Sequence, residues 1–199
     1  MELSPLARKK LAQIGELSET EKKKLKFSDK LTSMLSDYFT DRIDTDRLKD
    51  ELEKSPEESK AFMTGEIQTR LLHAITLGSN TIDFERCRNG VLCCETLKSP
   101  NRYNELETGL NAIEDLRTQY SHEKDTALYS MKEQVREQVV KAAQQAARKA
   151  GNNGVSIDLE GSIEASVKSG TEWRNFILDH EKNYGQQFDY YINAIEAML

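Results

Sequence analysis

The sequence predicts an all-α protein, an elongated helical bundle or coiled-coil-like hairpin, and three observations carry that expectation. Residues 101–150 place Tyr103, Leu106, Leu110, Ile113, Tyr120, Leu128, Met131, Val135, Val139, Ala142 and Ala146 mostly three or four apart, with no proline among them. At 1.5 Å per residue such a helix would span roughly 75 Å. Gly151-Asn152-Asn153-Gly154 then stops it, because Gly and Asn tolerate the left-handed backbone that closes a helix, and an aromatic-rich stretch of helical period returns over about 171–198. Finally, 37 % hydrophobic and 31 % charged residues, with a mean hydropathy of −0.69, suit thin helices that bury one stripe and solvate the rest.

The elements preceding the long helix follow from caps and periodicity. All three prolines succeed a serine, as Ser4-Pro5, Ser55-Pro56 and Ser99-Pro100, the arrangement expected where Ser caps a helix and Pro opens its first turn. A short helix is expected from about Pro5 to Leu17. A second runs from about Glu19 to Ile43, with Leu31, Met34, Leu35, Tyr38 and Phe39 on its buried stripe. Asp44-Thr45-Asp46 caps one or two turns holding Leu48 and Leu52. The Ser55 start, with Glu58 completing a capping box, opens a stretch to about Lys98. Its seam would be Phe62, Leu71, Leu72, Ile75, Ile82, Cys87, Val91 and Cys94, kinked or briefly broken at Gly78-Ser79-Asn80. The chain thus divides into an N-terminal helical region, 1–98, and a long helical hairpin, 99–199, either as two units or as one continuous domain.

The link between the hairpin's arms departs from helical logic. Val155, Ile157, Leu159, Ile163, Ala165 and Val167 alternate with polar residues, a period of two. Over 155–167 this predicts a small β-hairpin tip turning at Glu160-Gly161-Ser162, with an extended docked loop as the other reading. Val155, Ile157, Leu159, Ile163 and Val167 are the candidate interaction residues of that tip. Along the arms, the alanines ending the long helix, Ala142 and Ala146 among them, are small enough to receive Trp173, Phe176, Ile177 and Tyr184 of the last helix. Charge favours the same antiparallel pairing, since Lys and Arg prevail on the outgoing arm and Asp and Glu on the returning one.

Several function classes find no support. A formal net charge of −6 opposes general nucleic-acid affinity, which draws on excess Lys and Arg. The one basic concentration, Lys22-Lys23-Lys24, Lys26 and Lys30, is interleaved with Glu19, Glu21 and Asp29 and reads as a solvated helix face. The longest apolar run, Val91-Leu92-Cys93-Cys94, is far short of a membrane span or a signal segment. Three cysteines without paired spacing fit reduced thiols and a cytoplasmic location. Cys87, Cys93 and Cys94 lack zinc-ligand spacing, and no Glu precedes His73, His122 or His180 by three positions as a di-iron bundle requires. No metal, cofactor or catalytic residue is therefore expected, nor any phosphate loop or nucleophile turn.

These readings point to a non-enzymatic protein-interaction or scaffolding protein of a cytoplasmic assembly, self-associating and binding protein partners. The layout of helix, β-like segment and helix is similar to that of prefoldin subunits, without shared motif residues. That similarity implies a chaperone or stalk-like assembly factor as the alternative. An enzyme with an unrecognised site is the third reading.

Overall fold

The computed structural model describes residues 19–98, 101–149 and 158–199, and among them the chain is all-α: seven helices and no strand. They are α1 (Glu19–Phe39), α2 (Thr45–Glu53), α3 (Glu57–His73), α4 (Thr81–Glu95), α5 (Tyr103–Lys149), α6 (Leu159–Ser169) and α7 (Thr171–Glu196). The short helix expected over 5–17 and the break at 151–154 lie outside the described residues, as does Ser99-Pro100. The chain forms two units. One holds α1–α4 with residues up to Tyr103 and Leu199; the other holds the 76–80 loop and residues 104–198.

In the first unit α3 and α4 are an antiparallel pair rather than one kinked helix. The expected weak point at Gly78-Ser79-Asn80 becomes a full turn, because the Ser79 hydroxyl accepts from the Thr76 backbone N–H at 3.0 Å and offers the chain a hydrogen bond that competes with helix. Once the two segments face each other the seam shifts. Met63, Ile67, Leu71 and Leu72 of α3 are buried with Phe84, Cys87, Val91 and Cys94 of α4, whereas Phe62 and Ile82, both expected in the seam, stand 41 % and 71 % exposed. A Cβ at Gly90 would lie 2.5 Å from Leu71 Cδ1 and 3.2 Å from Tyr38 Cε1, so any larger residue there requires these buried side chains to shift. Gln68 of α3, fully buried, donates through Nε2 to the Val91 carbonyl at 3.0 Å and to Glu95 Oε2 at 3.1 Å; Glu95 Oε1 in turn accepts from the Arg102 backbone N–H at 2.9 Å. A buried carboxylate is tolerable here because its oxygens have donors.

Leu31, Met34, Leu35 and Tyr38 of α1 are buried as expected, but Phe39 is 37 % exposed at the helix end. There Asp41 takes the left-handed backbone at φ 57°, which Asp accepts more readily than most residues, and pairs with Arg86 of α4. Tyr38 donates its hydroxyl to the Arg86 carbonyl at 2.7 Å. Asp44 caps α2 by accepting from the Arg47 N–H at 2.8 Å. Ser55 caps nothing: its hydroxyl donates back to the Glu51 carbonyl at 3.0 Å, and α3 starts after Pro56 without a side-chain cap.

The three cysteines are thiols of this first unit, Cys87 and Cys94 buried and Cys93 half-buried with its Sγ donating to the Thr45 carbonyl at 3.6 Å. Burial pushes the Cys94 thiol well above its ordinary value of 9.0, and it raises the Cys93 thiol and the Tyr38 hydroxyl as well. The folded chain therefore keeps protons that the unfolded chain releases, and this stability is present below the ordinary thiol value and lost as pH climbs above it. Two results are expected: iodoacetamide labels all three thiols in denaturant but scarcely in the native protein at neutral pH, and the melting temperature falls steadily from about pH 9 upward.

The second unit sets α6 and α7 against α5 in antiparallel sense. A Cβ on Gly109 would come within 2.8 Å of Ile195 Cγ1, while at the other end Lys132 pairs with Glu164 at 3.2 Å and Arg136 with Glu160 at 2.6 Å. Leu106, Leu110 and Ile113 of α5 are fully buried. Leu116, Tyr120 and Tyr184 form a core joined by Leu77, Phe188 and Tyr191.

The β-hairpin expectation is corrected in its described part. Residues 159–169 are helical, capped by Asp158, which accepts from the Gly161 N–H at 3.0 Å. Leu159, Ile163 and Val167 stand four apart, a spacing that satisfies a period of two and nearly satisfies 3.6, so the alternation alone did not discriminate. Once Asp158 caps, Gly161 and Ser162 belong to a first helical turn, and Ile163 and Val167 are buried while Ala165 faces out.

Candidate functional site

The side chains expected to pair the hairpin's arms are partly brought together and partly not. Because α6 occupies α5 near Lys132 and Arg136, α7 lies alongside the earlier part of α5, and Trp173 falls level with the stretch between Tyr120 and Lys132 rather than with the alanines. Ala142 is exposed; Ala146 lies in the helix, with its side chain outside the described residues. Val155 and Ile157 are outside them too. Leu159 is 38 % exposed, and Ile163 and Val167 are buried.

What the helices assemble instead is an aromatic ladder. Trp173, Phe176, His180 and Tyr184 recur at three- and four-residue intervals, which puts them on one face of α7. Trp173 and Phe176 stack at 5.5 Å, Phe176 and His180 at 5.0 Å, and His180 and Tyr120 of α5 at 4.8 Å with planes 15° apart. Tyr184 closes the group at 4.6 Å from His180 and 5.5 Å from Tyr120. His180, 6 % exposed, donates from Nε2 to the Tyr120 carbonyl at 3.0 Å, and its Nδ1 lies 3.7 Å from Glu123 Oε2. Burial, then the Glu123 carboxylate, pushes the Tyr184 hydroxyl up. The Nε2 proton of this histidine is taken up by the Tyr120 carbonyl, and the ladder reads as the clamp between α5 and α7. Ile177 is half-buried beside it.

Arg117 is a second clamp, and nothing in the sequence singled it out. Only 8 % exposed, it donates from Nε to the Thr76 carbonyl at 3.1 Å and from Nη2 to the carbonyls of Ser79 and Asn80. An arginine inside an amphipathic helix reads as an ordinary surface residue; only the loop it grips gives it meaning. Ion pairs of α6 with Lys132 and Arg136 complete the fastening, and the Lys168 and Lys132 ammoniums hold the Glu164 carboxyl below the usual carboxylate range.

The face of α7 flanking the ladder is of another kind. Asn183, Gln186, Gln187 and Tyr190 recur at i, i+3, i+4 and i+7, all exposed, with Tyr190 70 % so and in edge contact with Tyr191 at 5.6 Å. With Tyr191 they line a groove of 500 Å³. From Asn183 to Ile195 the chain carries one charge, Asp189, where the chain average of 31 % would put about four. In the sequence that window shows only as missing charge, because the aromatic residues in it read as core. Interfaces are depleted in charge and enriched in tyrosine at their centres, so this stripe has the composition of a contact surface.

Among the described residues no three His, Cys, Asp or Glu side chains come together as a metal-binding group, and no helix is long and apolar enough to cross a membrane. The Lys22–Lys26 side chains lie outside the described residues; Lys30 reaches the Ser55 hydroxyl at 3.5 Å. The chain belongs to DUF6657, a family of unknown function, whose model matches residues 49–197 and so spans both units from within α2 to the end of α7. No curated protein and no solved structure matches it.

Proposed function

We propose that this chain is a non-enzymatic interaction or scaffolding protein of a cytoplasmic assembly, self-associating and offering its last helix to protein contacts. The observation that carries the reading is the uncharged amide and tyrosine stripe of α7, exposed in a chain of which 31 % is charged. The clamp at His180 supports it, since stacked rings and a buried hydrogen bond hold α7 in fixed register on α5, and a rigid helix presents a surface at low entropic cost. The chaperone reading rested on a layout with a β-hairpin between the arms, and α6 removes that basis for its described residues.

Sedimentation velocity over a concentration series, run beside a thermal-shift panel of metals and common metabolites, tests this. A sedimentation coefficient that rises with concentration and no small-molecule stabilisation are expected. A ligand that raises the melting temperature by several degrees, in a protein whose mass never changes, would favour an enzyme or a ligand carrier.

A further inference from the structure

We propose that α6 is a strap latched to α5 by charge and released when ionic strength rises; the inference stands apart from the self-association proposed above. Left to itself this segment would not stay helical. Eleven residues are too few for a stable isolated helix in water, and Gly161, Ser162, Ser166, Ser169 and the β-branched Ile163 and Val167 are poor helix formers. Its order is therefore borrowed from the helix it lies on.

Two kinds of contact lend that order. Ile163 and Val167 are the two of its eleven residues that are buried. Beside them stand three ion pairs: Lys132 with Glu160 at 3.7 Å and with Glu164 at 3.2 Å, and Arg136 with Glu160 at 2.6 Å. Glu164 is shared with Lys168 of α6 itself at 2.6 Å, and the Lys168 and Lys132 ammoniums keep it ionised at neutral pH. The next helix is fastened differently. α7 sets stacked rings and the His180 hydrogen bond against α5, contacts that salt does not screen.

The latch is open to solvent. Glu160 is 57 % and Arg136 41 % exposed, and pairs so placed lose much of their attraction as the Debye length shrinks from about 30 Å at about 0.01 M salt to about 3 Å at about 1 M. The joint with α7 is a single residue, Gly170, whose backbone is extended at φ −71° and ψ 151°, so α6 can lift without bending α7. Lifting it frees Lys132 and Arg136 and uncovers Ile163 and Val167. On a chain of formal charge −6, that is a cationic and apolar surface which the closed strap keeps occupied.

Amide hydrogen exchange of the full chain, read by mass spectrometry, tests the latch. Between about 0.01 M and about 1 M sodium chloride, exchange over 159–169 should accelerate about tenfold while α7 around His180 and Tyr184 changes by less than about twofold. The double variant Lys132→Met with Arg136→Met removes the latch from the α5 side and leaves the sequence of α6 intact. Its α6 should exchange at the fast rate already at low salt, with α7 as protected as in the wild type. Wild-type exchange over 159–169 that is alike at both salt concentrations, fast or slow, would overturn the proposal, and so would a salt response that survives in the double variant. Acceleration of α6 and α7 together would show that they open as one piece and that α6 is no separate strap.

Discussion

Replacing Arg117 with Ala should cost the second unit about 3 kcal/mol, because it removes charge-assisted hydrogen bonds and strands carbonyls of the 76–80 loop. The guanidinium serves Thr76 through Nε and Ser79 and Asn80 through Nη2, so one planar group closes the turn from inside. Arg117→Lys should recover little of the loss, since a single ammonium cannot present two separate nitrogens in that fork. Urea unfolding followed by dichroism measures both. If Arg117→Ala unfolds at the wild-type midpoint, the loop is held by its own Thr76–Ser79 bonds and the arginine is a bystander.

His180→Ala should destabilise the same unit by about 2–4 kcal/mol, as it empties the middle of the ladder and leaves Phe176, Tyr120 and Tyr184 facing a void. His180→Phe keeps a ring between Tyr120 and Phe176 but loses the hydrogen bond to the Tyr120 carbonyl, and should fall between the alanine variant and the wild type. Near-ultraviolet dichroism and a thermal melt together read the result. Equal melting of the alanine and phenylalanine variants would mean that the hydrogen bond, and not ring stacking, is what counts there.

The helices themselves were legible because their evidence is local. Leu31, Met34, Leu35 and Tyr38 show their face by spacing, and Asp44 caps where a cap is expected. Tertiary choices were not. Phe62 and Ile82 were assigned to a seam that exists only if residues 55–98 form one helix, and the turn fixed by Ser79 and Arg117 is set by a side chain about forty positions away. The register of α7 on α5 was not legible because the four-residue spacing of Leu159, Ile163 and Val167 fits strand and helix alike; as a helix, this segment moves Trp173 away from Ala142 and toward Tyr120. For the site, the aromatic residues of α7 were visible, whereas the neighbouring uncharged stripe shows itself only by what is missing from it.

The central claim is that this chain associates with itself, and light scattering on the chromatographically purified wild-type protein tests it most directly. Over a range from about one to some hundreds of micromolar, the weighted mass should climb above the 22.7 kDa of one chain. A mass fixed at 22.7 kDa across the whole range would contradict the account.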